Sequence, residues 1–121
     1  MTSTKVSIHH GLVVVEDTAR GEPPEWVDGL PVLASGSCLL VRCMPAIDGE
    51  TELTLGAAAA DIIAGGEPVF DGTIATPSRE LMISDVEGEQ LLKTQVVEVQ
   101  TRVRVWFNQA DWPDRVTVAW G

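Results

Sequence analysis

Residues 96–107 read VVEVQTRVRVWF. Val97, Val99, Thr101, Val103, Val105 and Phe107 alternate with Glu98, Gln100, Arg102, Arg104 and Trp106. A strand sends successive side chains to opposite faces, so this period of two predicts a long strand with one dry face and one wet face. A helix would scatter the valines around its circumference, and β-branched residues suit a pleated surface. NQADWPD (108–114) follows with turn chemistry, and Pro113 cannot sit inside a regular strand. RVTVAW (115–120) resumes the alternation, with Val116, Val118 and Trp120 on one side. The two runs predict a C-terminal hairpin with a loop of about five to seven residues.

Working outward from that hairpin, the same pattern recurs. KVSIHHGLVVVE (5–16) reads as one strand, bent at Gly11. SCLLVRCM (37–44) is apolar on both faces and reads as a central strand. ETELTLG (50–56) alternates Leu53 and Leu55 with Glu52 and Thr54, and Asp48-Gly49 predicts a hairpin between these two strands. Pro68 to Phe70 is a short run with Asp71-Gly72 as a turn, and RELMISD (79–85) is another strand, closed by EGEQ. Residues 19–36 hold three prolines and three glycines and predict a long connection with room for one helical turn at Glu25 to Asp28. GAAAADIIAGG (56–66) suits a short helix by composition, or a continuation of the preceding strand through a Gly56 bulge; the missing N-cap favours strand. About seven or eight strands at short spacing predict an all-β antiparallel sandwich, jelly-roll-like or Greek-key, and 1–121 reads as a single domain.

Composition narrows the function classes. Eighteen acids oppose eight bases, for a net charge of -10. Such a surface repels phosphate, so direct nucleic-acid binding is not expected; it serves solubility or steers the chain toward a basic protein. No run reaches the ~18–20 apolar residues of a membrane span. MTSTKVSIHHG has one Lys and no apolar core of ~7–15 residues, so no secretory signal is expected. Cys38 and Cys43 are five strand steps apart, about 16 Å, on opposite faces. A disulfide needs Cα atoms within about 7 Å, so two free, half-buried thiols are expected, in keeping with a reducing cytoplasm.

Chemical motifs are sparse. His9 and His10 are the two histidines of the chain. On a strand they face opposite ways, one ring toward the core edge and one toward solvent, and no third ligand is at hand. No metal or cofactor is expected. DGETE and EGEQ lack the full spacing of a calcium loop, GAAAADIIAGG lacks the Lys of a phosphate loop, and ASGSC is not a nucleophile elbow. No catalytic residue can be named, and an enzyme is not expected. Two loops combine tryptophan with carboxylates: Glu22, Glu25, Trp26 and Asp28 in the proline-rich connection, and Asp111, Trp112 and Asp114 in the last hairpin. Tryptophan flanked by charge is common in protein-recognition patches, so these seven are the candidate partner-binding residues. Alternatively each Trp plugs an end of the sandwich and the acids face water.

VSIHHGLVVVED, PPEWVDGL, SCLLVRC and TRVRVWFNQ, in that order and spacing, resemble the competence protein J, or nuclease-inhibitor, family. The resemblance spans nearly the whole chain. It implies an acidic β-sandwich that binds a secreted or DNA-processing nuclease and blocks it without catalysis of its own. Two other roles suit the same sequence: a small-molecule-binding sandwich or barrel with tryptophans lining a pocket, and a structural or assembly subunit, virion-like, that pairs through an exposed strand edge. The oligomeric state is left open by the sequence.

Overall fold

The structure, a computed structural model, describes residues 2–58 and 67–121. Ten strands run through the described residues: β1 (Thr2–Val6), β2 (Leu12–Asp17), β3 (Val32–Ala34), β4 (Cys38–Arg42), β5 (Thr51–Ala57), β6 (Phe70–Ala75), β7 (Glu80–Asp85), β8 (Gln90–Gln95), β9 (Gln100–Phe107) and β10 (Arg115–Trp120). They form two five-stranded sheets, ordered β1-β5-β10-β9-β6 and β3-β4-β2-β7-β8. Pairing is antiparallel except between β5 and β10, which run parallel. The all-β sandwich expected from the alternation is therefore present.

The core lies between the sheets. Val13 and Val15 of β2, Leu81 and Ile83 of β7 face Leu53 and Leu55 of β5 and Val103 and Val105 of β9, all fully buried. In each strand these are alternate residues, which is the pattern a sheet with one buried face requires. Each such side chain removed from water contributes roughly 1.5–3 kcal/mol before entropy is counted. The C-terminal hairpin is as expected: β9 and β10 pair antiparallel, with Val118 opposite Val105, across the loop at 108–114.

The strand inventory differs from the sequence reading at three of the four places where the described chain changes sheet. Residues 5–16 are not one strand. β1 pairs with β5 in the first sheet and β2 with β4 and β7 in the second. The corner between them needs Gly11 at φ +64, where a Cβ would also lie 3.0 Å from the Cys43 carbonyl oxygen. The Asp48-Gly49 hairpin is absent too: β4 and β5 lie in different sheets, and a short 3-10 turn at Ala46–Asp48 carries the chain across. Residues 96–107 divide likewise. β8 ends at Gln95 in the second sheet and β9 starts at Gln100 in the first. In the bend between them Val96 is buried, whereas Val97 and Val99 are 68% and 49% exposed. Period two reports alternation along the chain but not the sheet to which each residue belongs.

Other differences are local. Asp71-Gly72 lies inside β6, not in a turn; the Phe70 ring covers Gly72 so closely that a Cβ there would sit 2.7 Å from it. β3 and β8 went unread, the first hidden in the proline-rich connection and the second in LLKTQ. Glu25 to Asp28 holds no helical turn. β5 continues through Gly56 to Ala57, and the rest of the 56–66 question lies outside the described residues. β4 is interior to its sheet, between β3 and β2, as its apolar composition requires.

One buried acid fastens two connections. Asp17 is 1% exposed, and its carboxylate accepts hydrogen bonds from the Ala19 N–H at 2.8 Å and the Ser78 N–H at 3.0 Å. Replacing it strands both donors. Asp17→Ala is expected to lower stability by about 3–6 kcal/mol in urea denaturation, because two bonds to a charged group are lost and each is worth roughly 1.5–3 kcal/mol. A loss below about 0.5 kcal/mol would show that water satisfies these donors instead.

Candidate functional site

Three loops meet at one end of the sandwich, and backbone hydrogen bonds hold them together. The Cys43 N–H donates to the Gly11 carbonyl at 2.9 Å, the Met44 N–H to the Pro113 carbonyl at 2.9 Å, and the Ala46 N–H to the Ile8 carbonyl at 2.8 Å. The β1–β2 corner, the β4–β5 crossing and the β9–β10 loop are thereby locked side by side. The proline-rich connection then folds over them. Its Leu30 carbonyl accepts from Arg42 Nε at 2.8 Å, and the Arg42 guanidinium stacks over the Trp26 ring at 4.7 Å. Stacking of this kind both orients the cation and shields the ring.

Between these loops lies an open cleft of about 590 Å³. Trp26, Leu30, Phe107 and Trp112 supply its apolar wall, and Arg42, His10 and Asp111 its polar groups. Trp26 and Trp112 remain 53% and 62% exposed, so neither plugs the sandwich as the alternative reading required. Trp112 holds φ +49, a left-handed conformation that costs a bulky residue about 1–3 kcal/mol. Gln109 Nε2 donates to its carbonyl at 2.8 Å and helps to hold it there. A strained backbone that displays an aromatic ring to water is a common mark of a recognition site.

The seven sequence-predicted residues fall into distinct places. Trp26, Asp111 and Trp112 line the cleft. Asp28 stands behind Trp26, accepting from its Nε1 at 2.7 Å. Asp114 accepts from Asn108 Nδ2 at 2.5 Å, and its carbonyl accepts from the Glu52 N–H at 2.7 Å, so it braces the last loop. Glu25 is exposed beside Trp26 in the chain. Glu22 lies apart from the cleft: its N–H donates to Ser37 Oγ at 2.9 Å and its carbonyl accepts from Ser35 Oγ. Arg42, Leu30 and Phe107 are not singled out by the sequence, and His10 is weighed there only as a metal ligand. Arg42 carries no local signal, since it is simply the last residue of an apolar strand.

His9 and His10 are both exposed in the corner rather than split between core edge and solvent; Ile8 takes the buried position at 1% exposure. His10 Nε2 lies 3.9 Å from Glu87 Oε1. Among the described residues no three of His, Cys, Asp and Glu gather where a metal ion could sit, and no helix is long and apolar enough to cross a membrane.

The architecture defines a two-sheet β-sandwich that gathers its loops into an aromatic cleft at one end. It is similar to the crystal structure of ComJ from Bacillus subtilis, described as an inhibitor of the DNA degrading activity of NucA, with a TM-score of 0.69 over 99% of this chain and 94% of that one. Identity over the match is 10%, so the likeness is one of fold. No family model matches the chain, and no curated protein matches it.

The cysteines are free and fully buried, at 2% and 1% exposure, not half-buried. Cys43 joins the core while Cys38 lines the opposite, outer face of its sheet. Burial pushes both thiols up to about 12. The thiolate is the nucleophile, so at pH 8 both groups stay protonated and inert. Ellman's reagent is expected to titrate neither thiol in the native protein and both in denaturant; rapid native labelling of Cys38 would show that its cover opens.

Proposed function

We propose that this chain is a non-enzymatic, acidic protein-binding module that blocks a basic nuclease by docking its aromatic cleft against the enzyme. The observation that carries this reading is convergence: two tryptophan-bearing loops, far apart in sequence, meet on one cleft with both rings exposed. Interfaces concentrate their binding energy in such aromatic and arginine anchors. The fold shared with ComJ makes a nuclease the natural partner class. The net charge of -10 steers the chain toward a basic surface and away from nucleic acid itself. Two free buried thiols suit action in the cytoplasm.

NucA serves as the probe nuclease, with DNA degradation as the readout. The wild-type chain is expected to inhibit it, and Trp112→Ala to weaken inhibition by about thirtyfold, the ~2 kcal/mol typical of a central anchor. Glu25→Lys combined with Asp111→Lys tests the charge without disturbing Asp28 or Asp114, which hold the loops. That double variant is expected to lose most inhibition at low salt, while wild-type inhibition declines as added salt screens the attraction. Full inhibition by the double variant removes these carboxylates from the interface. No inhibition by the wild type removes the nuclease reading.

The cleft volume of about 590 Å³ also suits a drug-sized molecule, since ligand pockets span roughly 300–1,000 Å³. Saturable one-to-one quenching of tryptophan fluorescence by a small aromatic ligand, lost in Trp26→Ala, would favour that second reading.

A further inference from the structure

The aromatic cleft and a second cavity lie over successive rows of the same two strands. Leu12 and Arg42 are register partners on β2 and β4 and line the cleft. One row further along the same strands, Val14 lies between Leu40 and Ser84; the row after that pairs Glu16 with Cys38. Val13 and Val15 point into the core, so Leu12, Val14 and Glu16 share the outer face. The last two rows floor a second cavity of about 340 Å³, walled by Gly21 and Pro23 on one flank and Val86 and Gly88 on the other. Arg20 closes its far end, donating to Glu16 Oε2 and to the Gly88 carbonyl, both at 3.3 Å.

Two features of this cavity ask for an occupant. Ser84 is fully buried at its floor, and its hydroxyl has no hydrogen-bond partner. Buried polar groups are nearly always paired, and the exceptions mark strain or a missing ligand. Charge supplies the second. Glu16 and Asp85 line the cavity, and Glu87 and Glu89 follow on the adjoining turn, against the single cation of Arg20.

We infer that the two cavities act as one groove that receives an extended segment of the protein partner, lying along β2 and β4, with an apolar side chain in the aromatic cleft and a basic side chain four residues later in the second cavity. Leu12 and Glu16 are four residues apart, about 13 Å at the rise of a strand. An extended ligand has the same rise and turns residues i and i+4 to the same side. The basic side chain meets Glu16 and Asp85 and donates to Ser84 Oγ. This rests on the protein-binding reading above and adds the register and charge of what binds.

The test uses 15N-labelled protein at low salt and two capped peptides, Trp-Ser-Gly-Ser-Arg and Trp-Ser-Gly-Ser-Glu. The Arg peptide is expected to shift the amides of Trp26 and Trp112 and also those of Val14, Leu40 and Ser84. The Glu peptide should bind about tenfold more weakly or worse, because like charges meet, and leave the second group unmoved. Ser84→Ala should weaken the Arg peptide by roughly threefold or more yet leave the melting temperature unchanged or higher, since it removes an unpaired buried group. Shifts confined to Trp26 and Trp112 with both peptides overturn the second subsite and leave the protein-binding reading standing. No shift at either end with either peptide removes both.

Discussion

The carbonyl oxygen of Ile8 accepts two backbone hydrogen bonds, from Gly11 at 3.1 Å and from Ala46 at 2.8 Å, while its side chain is sealed into the core. A sandwich whose chain passes repeatedly from one sheet to the other must satisfy backbone groups at each passage, where no ladder is available. Here two passages solve the problem for each other. The β1–β2 corner and the β4–β5 crossing lie side by side, and Ile8 forms a bridge with Pro45 where they touch. The Cys43 N–H and Gly11 carbonyl close the same junction. Everything at that end of the molecule stands on it, including the β9–β10 loop, which joins through Met44 and Pro113.

That junction closes the floor of the cleft beneath an open rim. Its floor is backbone hydrogen-bonded and its aliphatic support is the core itself. Its rim is two tryptophans, each held by one or two polar contacts and otherwise open to solvent. Preorganised floors reduce the entropy lost on binding, while exposed rings supply the apolar area that a partner buries. Electrostatics divide in the same way. In the proposed complex the acid excess would act at a distance on a basic partner, whereas Arg42, stacked and hydrogen-bonded within the cleft, would act only on what has already arrived.

Much of the sandwich was legible because burial of one sheet face forces alternation. β9, β10, β5 and β7 could be read directly, and their inward residues Val103, Val105, Val116, Leu53 and Leu81 are all fully buried. The errors share a cause. Alternation continues through Val97 and Val99 although the chain there is bending between sheets, and KVSIHHGLVVVE looks continuous although Gly11 turns it. Short edges were missed for a different reason: β3 has three residues, too few to establish a period. Of the candidate site, Trp26, Asp111 and Trp112 were visible as aromatic and acidic residues in turn-rich loops. Arg42 and Phe107 were not, and His10 was visible only as a candidate ligand, because their place in the cleft depends on which loops lie beside them.

By itself, then, the chain determined its class, its charge and its free thiols. Those properties follow from residue type and local period, which need no knowledge of the fold. Tertiary structure alone decided which strands share a sheet, that Glu22 stands away from Trp26, and that the two tryptophan loops face one cleft. These depend on contacts between residues distant in sequence, and only the burial of both sheets against one another selects among the pairings that alternation allows.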